Sequence, residues 1–121
     1  MGIADKFTQT FRAGDTVFAE GSEGNEMYLI IRGRVRIVKA GSSGAHELAA
    51  LAEGEIFGEM ALLDSGRRTA SAIAAEDGTQ VMAIDQARFV YLVSQQPAFA
   101  LSVMRVMAQR IAALGVRLSC N

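Results

Sequence analysis

The chain has one cysteine, one proline, one histidine and no tryptophan. Each scarcity excludes something. With Cys120 alone, no disulfide can form within the chain, so the fold must hold by burial. His46 stands beside a Gly/Ser turn with no cysteine pattern near it, and a metal site needs three or four ligands at workable spacing. The same shortage removes Ser–His–acid chemistry, and no two acids read as a general acid and base on one face. No catalytic residue, metal or cofactor is therefore expected, and His46 reads as an exposed loop residue. Long uncharged apolar runs are also missing. The best candidate for a membrane helix, residues 89–118, is broken by Gln95, Gln96, Pro97, Arg105, Gln109 and Arg110. Neither sign of charge is in surplus, with 12 basic against 13 acidic residues, so nothing suggests a nucleic-acid face. The N-terminus lacks the basic start and apolar run of a signal peptide, and Lys6 stands where a myristoylation signal wants a hydroxyl. A single cytoplasmic domain over residues 1–121 is the expectation, with no membrane insertion and no nucleic-acid contact. A piece of a larger parent stays open.

What is present is apolar material cut by glycine. Half of the residues are hydrophobic. From Thr8 to Ile84, short apolar runs alternate with glycines and no proline intervenes, a pattern of tight turns between short strands. Strands are expected over residues 9–11, 16–18, 27–32, 34–40, 47–52, 55–57, 70–76 and 79–84. Met27-Tyr28-Leu29-Ile30-Ile31 is rich in β-formers, and Arg34 to Lys39 alternates with period two. Gly33 between them reads as a turn or a change of strand direction. Gly41-Ser42-Ser43-Gly44 reads as a small flexible connector. Strands at this spacing leave no room for crossover helices, which points to a sandwich or rolled barrel. Residues 1–7 read as a short helix or lead-in.

After Ile84 the period lengthens. Asp85 can cap a helix to about Ser94 with Phe89, Leu92 and Val93 inward. Pro97 is expected inside the first turn of a second helix, which runs to about Leu118. That helix carries two apolar stripes. Phe99, Val103, Met107, Ile111, Leu114 and Leu118 make one, and Leu101, Met104, Ala108 and Ala112 the other. One surface helix needs only one stripe, so the second meets either deeper packing or another chain.

The chemistry sits in Phe57-Gly58-Glu59-Met60-Ala61-Leu62-Leu63, followed by Arg67-Arg68-Thr69-Ala70. A helical turn beginning at Glu59 offers unpaired amides from about Met60 and Ala61 to an anion. Gly58 lets the backbone approach. Arg68 supplies a planar, permanently charged fork for phosphate oxygens. Glu59 repels a bare phosphate, but as an acceptor it suits a sugar hydroxyl. Arg68 is expected to face the ligand without core packing, so that its removal hardly touches folding. An ordinary strand-to-helix turn beside an ordinary surface pair of arginines would look the same.

The same residues resemble the phosphate-binding cassette of the cyclic nucleotide-binding domain family. Phe57 to Leu63 with Arg68-Thr69-Ala70-Ser71 is similar to the cassette. Glu20-Gly21-Ser22-Glu23-Gly24-Asn25-Glu26-Met27-Tyr28-Leu29-Ile30, with Gly33 and Val35, is similar to the first half of that family's barrel. Asn25 departs from the aspartate common there. The resemblance covers nearly the whole chain. It implies a mainly β fold, an antiparallel β-roll or jelly-roll barrel with an N-terminal helix and two C-terminal helices. It implies that Glu59 holds a ribose 2'-hydroxyl and Arg68 a cyclic phosphate, with Gly58, Met60 and Ala61 completing the cradle. Thr69 would contact the phosphate or a guanine edge, Ala70 would open the next strand, and the purine would face Val35 and Ile37. The ligand implied is cAMP or cGMP. The last helix would serve as lid and output, and as a homodimer face or contact for a downstream domain. A non-binding structural or dimerisation module of the same shape is the alternative.

Overall fold

The computed structural model describes residues 7–63 and 66–113, in two compact units divided between Ala87 and Arg88. The first unit is β. Its strands are β1 (Thr8–Phe11), β2 (Thr16–Phe18), β3 (Glu23–Gly24), β4 (Glu26–Arg32), β5 (Arg34–Gly41), β6 (Gly44–Ala52), β7 (Ile56–Phe57), β8 (Gly66–Arg67), β9 (Ser71–Ala74) and β10 (Thr79–Asp85). One helical turn, α1 (Met60–Leu63), interrupts them.

The pairing follows one rule. β5 pairs with β6, β4 with β7, β3 with β8, β2 with β9 and β1 with β10, all antiparallel. The strands of this unit thus form a single long two-stranded ribbon, folded back at Ser42-Ser43. Two further pairings, β4 with β10 and β5 with β9, stitch the ribbon into two four-stranded sheets. Their orders are β1-β10-β4-β7 and β2-β9-β5-β6, with β3-β8 as a separate two-stranded piece. The sheets roll over one another without closing into a barrel. Between them lies the core: Tyr28, Ile30, Phe57, Val81 and Ala83 come from one sheet, and Val35, Leu51 and Ala72 from the other.

Two local expectations change. The Gly41–Gly44 segment is a tight reversal, with Ser42-Ser43 as the turn and Gly41 opposite Gly44. It therefore extends the ladder where a flexible connector was expected, and His46, expected in a loop, lies exposed on β6. The β3·β8 ladder was not expected at all. Its paired residues, Glu23 with Arg67 and Gly24 with Gly66, carry no strand preference of their own.

The second unit is helical. Helix α2 (Gln86–Gln95) begins just before the division and α3 (Ala98–Ala113) follows it. Pro97 lies immediately ahead of α3, where its missing N–H costs nothing. The Phe89 and Phe99 rings meet with centroids 5.7 Å apart, joining the two helices. On α3, Val103 is buried and Phe99 and Met107 are half-buried, but Ile111 of the same stripe is exposed. The whole second stripe, Leu101, Met104, Ala108 and Ala112, is exposed. The helix expected before Thr8, apart from Phe7, and the expected end of the last helix at Leu118 lie outside the described residues. No helix among the described residues is long and apolar enough to cross a membrane.

Gly33 marks where the ribbon passes from one sheet to the other. Its φ is +92°, a left-handed conformation, and a Cβ there would come within 2.8 Å of the Thr79 backbone. Thr79 is fully buried and cannot yield, because its hydroxyl donates to the Glu76 carbonyl at 2.7 Å. Gly33→Ala is therefore expected to cost at least about 2 kcal/mol, the sum of backbone strain and overpacking. Gly54→Ala, also at positive φ but facing open space, should cost only the strain. Urea denaturation of both variants against wild type measures the difference.

Candidate anion-binding site

Nested pairing brings the segment after α1 back alongside residues 20–24, and Arg68 is the product of that meeting. The Arg68 amide donates to the Ser22 carbonyl, and the Arg68 carbonyl accepts from the Gly21 amide, each at 2.7 Å. These bonds turn the side chain inward, where it is 7% exposed. One guanidinium nitrogen, Nη2, donates to the Glu26 carbonyl at 2.9 Å, and the other, Nη1, to the Gly58 carbonyl at 3.2 Å. Its carbon lies 4.0 Å from the centroid of the Phe18 ring, and Phe18 leans on Tyr28 and Phe57 at 5.8 and 5.9 Å. Cation–π attraction of this kind strengthens as water is excluded. Nε is buried with no hydrogen-bond partner among the described residues. Burial pulls the guanidinium below its usual pKa, opposed by the neighbouring Tyr28 and Glu26, and the group stays charged. Burial also raises Tyr28, helped by the charge of Glu26, whose carboxylate accepts the Tyr28 hydroxyl at 3.2 Å.

Two glycines make room for this. A Cβ on Gly24 would stand 2.5 Å from Arg68 Nε and Nη2, and a Cβ on Gly58 would stand 2.9 Å from Nη1. Gly58 also has φ +75°, so it both turns the chain into α1 and clears the guanidinium. The expectation of an arginine without packing is thus corrected. Arg68 is built into the interior, because two main-chain carbonyls and a ring converge on it.

The other residues singled out from the sequence fall as follows. Glu59, next to Gly58, is 2% exposed, while Met60 is 61% exposed and Ala61 is buried. The Ala61 amide, expected unpaired, donates to the Gly58 carbonyl at 3.3 Å, the tightened bond of a first helical turn. Thr69 is exposed and Ala70 is buried just ahead of β9. Val35 is fully buried in the core, and Ile37, half-buried on the same strand, pairs with Ala72 of β9. Gly58 and Arg68 are therefore in direct contact, with Glu59 beside them, whereas Val35 belongs to the packing beneath. Sequence reasoning missed Phe18, Gly24 and the Glu26 carbonyl. Only the β3·β8 pairing brings them to Arg68, and no local signal announces it. An open depression of about 470 Å³ lies on that ribbon, lined by Glu23, Gly24, Asn25 and Gly66. It adjoins the guanidinium through Gly24, and none of the residues singled out for the ligand lines it. Among the described residues no cluster of three or more His, Cys, Asp or Glu could hold a metal.

This arrangement sets a fixed, desolvated cation and a buried carboxylate at the two ends of one short segment, suited to an anion that also bears a hydroxyl. The family model described as cyclic nucleotide-binding domain matches residues 8–96. A cyclic AMP receptor protein of Thermus thermophilus is 37% identical over 99 residues, covering 81% of this chain and 45% of the receptor. A cGMP-dependent protein kinase of Caenorhabditis briggsae is 33% identical over 94 residues, covering 75% of this chain and 13% of the kinase. The crystal structure of the Thermus thermophilus catabolite activator protein superposes with a TM-score of 0.79 at 34% identity, covering 89% of this chain and 51% of that one. The chain thus spans about half the length of the bacterial relatives it matches.

The geometry around Arg68 generates its own test. Gly24 has no unusual φ, so the cost of Gly24→Ala comes from the collision with the guanidinium alone. An expected loss of about 1–3 kcal/mol should shrink when Arg68→Ala removes the obstacle. A double-mutant cycle by thermal or urea denaturation reads the coupling, and strictly additive losses would mean that Gly24 matters for another reason.

Proposed function

The chain belongs to the cyclic nucleotide-binding domain family, and we propose that it binds a 3',5'-cyclic nucleotide, cAMP or cGMP, as a regulatory sensor that leaves the ligand unchanged. The buried guanidinium of Arg68 carries this reading. Packing alone has no use for an interior arginine, whose burial costs several kcal/mol unless its donors are met. The charge makes sense when an anion comes to it. In this reading the fork meets the cyclic phosphate, with Nε among the donors still to be used. Glu59 accepts the ribose 2'-hydroxyl, and Gly58 with the backbone at Met60 and Ala61 lines the sugar-phosphate. The Thr69 hydroxyl meets phosphate or base, with Ala70, Ile37 and the core at Val35 on the apolar side. No catalytic step, metal or cofactor is involved. The ligand can alter the protein only by binding one arrangement more tightly than another, and α3 is the element assigned as lid and output.

The exposed stripe on α3 supports a second part of the reading, self-association. Leu101 is 56% exposed and Met104 55%, and each such side chain contributes roughly 1.5–3 kcal/mol when fully buried. Sedimentation velocity over a range of concentrations should show a dimer weakened by Met104→Lys. A monomer throughout would confine α3 to its own chain.

Calorimetric titration tests the binding. Wild type should take up cAMP or cGMP far more tightly than the corresponding linear 5'-monophosphate, and should discriminate against the 2'-deoxy cyclic form through Glu59. Arg68→Lys keeps the charge but loses the fork, and should weaken binding by at least about tenfold, given roughly 1.5–3 kcal/mol for a charge-assisted bond. Arg67→Lys is the control, since Arg67 is exposed and its side chain donates to the Gly21 carbonyl at 2.8 Å. No uptake of either cyclic nucleotide leaves a dimerisation module of the same fold.

A further inference from the structure

Glu26 enters the site twice. Its carbonyl accepts Arg68 Nη2 at 2.9 Å. Its side chain lies on the same face of β4 as Tyr28, two residues on, and Oε1 accepts the Tyr28 hydroxyl at 3.2 Å. Tyr28 is a firm support, because it is buried and its ring stacks on Phe57 with centroids 5.3 Å apart. The Arg68 guanidinium lies against the same tyrosine ring, with its carbon 5.8 Å from the centroid. One tyrosine thus carries a carboxylate on its hydroxyl and a guanidinium beside its ring. The two charges feel each other. Burial draws the Arg68 pKa down, and Tyr28 and then the Glu26 carboxylate push it back.

A half-buried carboxylate gives up solvation, and a neutral acceptor would serve the Tyr28 hydroxyl as well. In the cyclic-nucleotide reading Glu59 already meets the ribose hydroxyl, which leaves no ligand group for Glu26. What the Glu26 charge does is lower the positive potential at the guanidinium. The energy of a ligand in that field scales with the ligand's own charge, so a second negative charge doubles the repulsion from Glu26. It must also be taken out of water. A cyclic phosphodiester carries one negative charge. The terminal phosphate of a linear nucleotide carries close to two above its second pKa of about 6.

We propose that Glu26, held by Tyr28, is a specificity-determining residue that filters ligands by charge: it cuts the potential at Arg68, so that the site takes a singly charged cyclic phosphate and turns away the doubly charged phosphate of a linear nucleotide. The inference rests on the cyclic-nucleotide reading of the site. Within it, Glu59 recognises the sugar, Arg68 draws the anion and Glu26 limits how much charge the anion brings. The filter also weakens the proper ligand, so the site binds less tightly than it would without the Glu26 charge.

The test is calorimetric titration of wild type, Glu26→Gln, Tyr28→Phe and Glu23→Gln with each cyclic nucleotide and its linear 5'-monophosphate, at about pH 8, where the linear form is doubly charged. Glu26→Gln keeps the shape and an acceptor for Tyr28. It is expected to raise affinity for the cyclic ligand about threefold to fivefold, and for the linear one by about the square of that factor. Tyr28→Phe keeps the stacked ring and releases the carboxylate, and should give a smaller shift in the same direction. No shift there overturns the role given to Tyr28. Glu23 is exposed, so Glu23→Gln should change little, and an equal rise in that variant would show that any lost acid suffices. A purely structural role for Glu26 would lower both affinities together, and that result overturns the inference. So does Glu26→Gln with the cyclic-to-linear ratio of wild type, or with still no measurable uptake of the linear ligand, while wild type binds the cyclic one. If wild type binds neither cyclic nucleotide, the proposed function falls and takes this inference with it.

Discussion

Taking the Arg68 guanidinium out of water is the most demanding requirement in this molecule, and much of the surrounding structure answers to it. A buried charge is tolerated only when its donors find acceptors and its face finds something polarisable. Here the Glu26 and Gly58 carbonyls serve the terminal nitrogens and the Phe18 ring lies against the plane. Each of those partners is itself placed by something else. Phe18 is held by Tyr28 and Phe57, and the Gly58 carbonyl points where it does because of its left-handed φ. Gly24 and Gly58 are glycines because a side chain would occupy the guanidinium's space. A residue that would ordinarily sit at the surface has thus fixed the identity of several residues far from it in sequence.

The ribbon topology is what makes the convergence possible. In a meander, residues 20–28 and 57–68 would lie on strands several places apart. In the nested arrangement they face each other: Tyr28 pairs with Phe57 and Glu23 with Arg67. The site is therefore a property of the ribbon's middle, stabilised above by the core pairs and below by the β2·β9 and β1·β10 ladders. With only Cys120 to offer, the chain has no internal disulfide to hold that shape, which rests on burial, in keeping with its hydrophobic content.

Much of this was legible in the sequence where the signal was local. Period-two alternation located β4 and β5, and the glycine punctuation located the turns between short strands. The change of period after Ile84 found α2 and α3. The Glu59–Arg68 spacing singled out the two side chains that the structure buries. What could not be read was tertiary. Nothing in Glu23-Gly24 or Gly66-Arg67 asks for a ladder, since those strands exist only because each has the other. The depth of Arg68 was hidden for the same reason: its partners are carbonyls, which every residue possesses, and a phenylalanine fifty positions earlier. The tight reversal at Ser42-Ser43 was read as slack because Ala45 and His46 have weak strand preference, and pairing with Lys39 and Ala40 overrides it.

The nested ribbon also bears on how such a chain can reach its native state. Its contacts run from Gly41 opposite Gly44 at the tip to Thr8 opposite Met82 at the base, which gives many contacts between residues distant in sequence. Folds of that kind are slow when each distant pair must find its partner unaided. A ribbon offers another order of events. Once the tip has closed, each successive pair is brought near by the one before it, and the loop still to be closed is short at every step, so the entropy is lost in small increments. On such a route the Arg68 cradle closes midway, when β3 meets β8, and the charge leaves water with its carbonyl acceptors arriving alongside it.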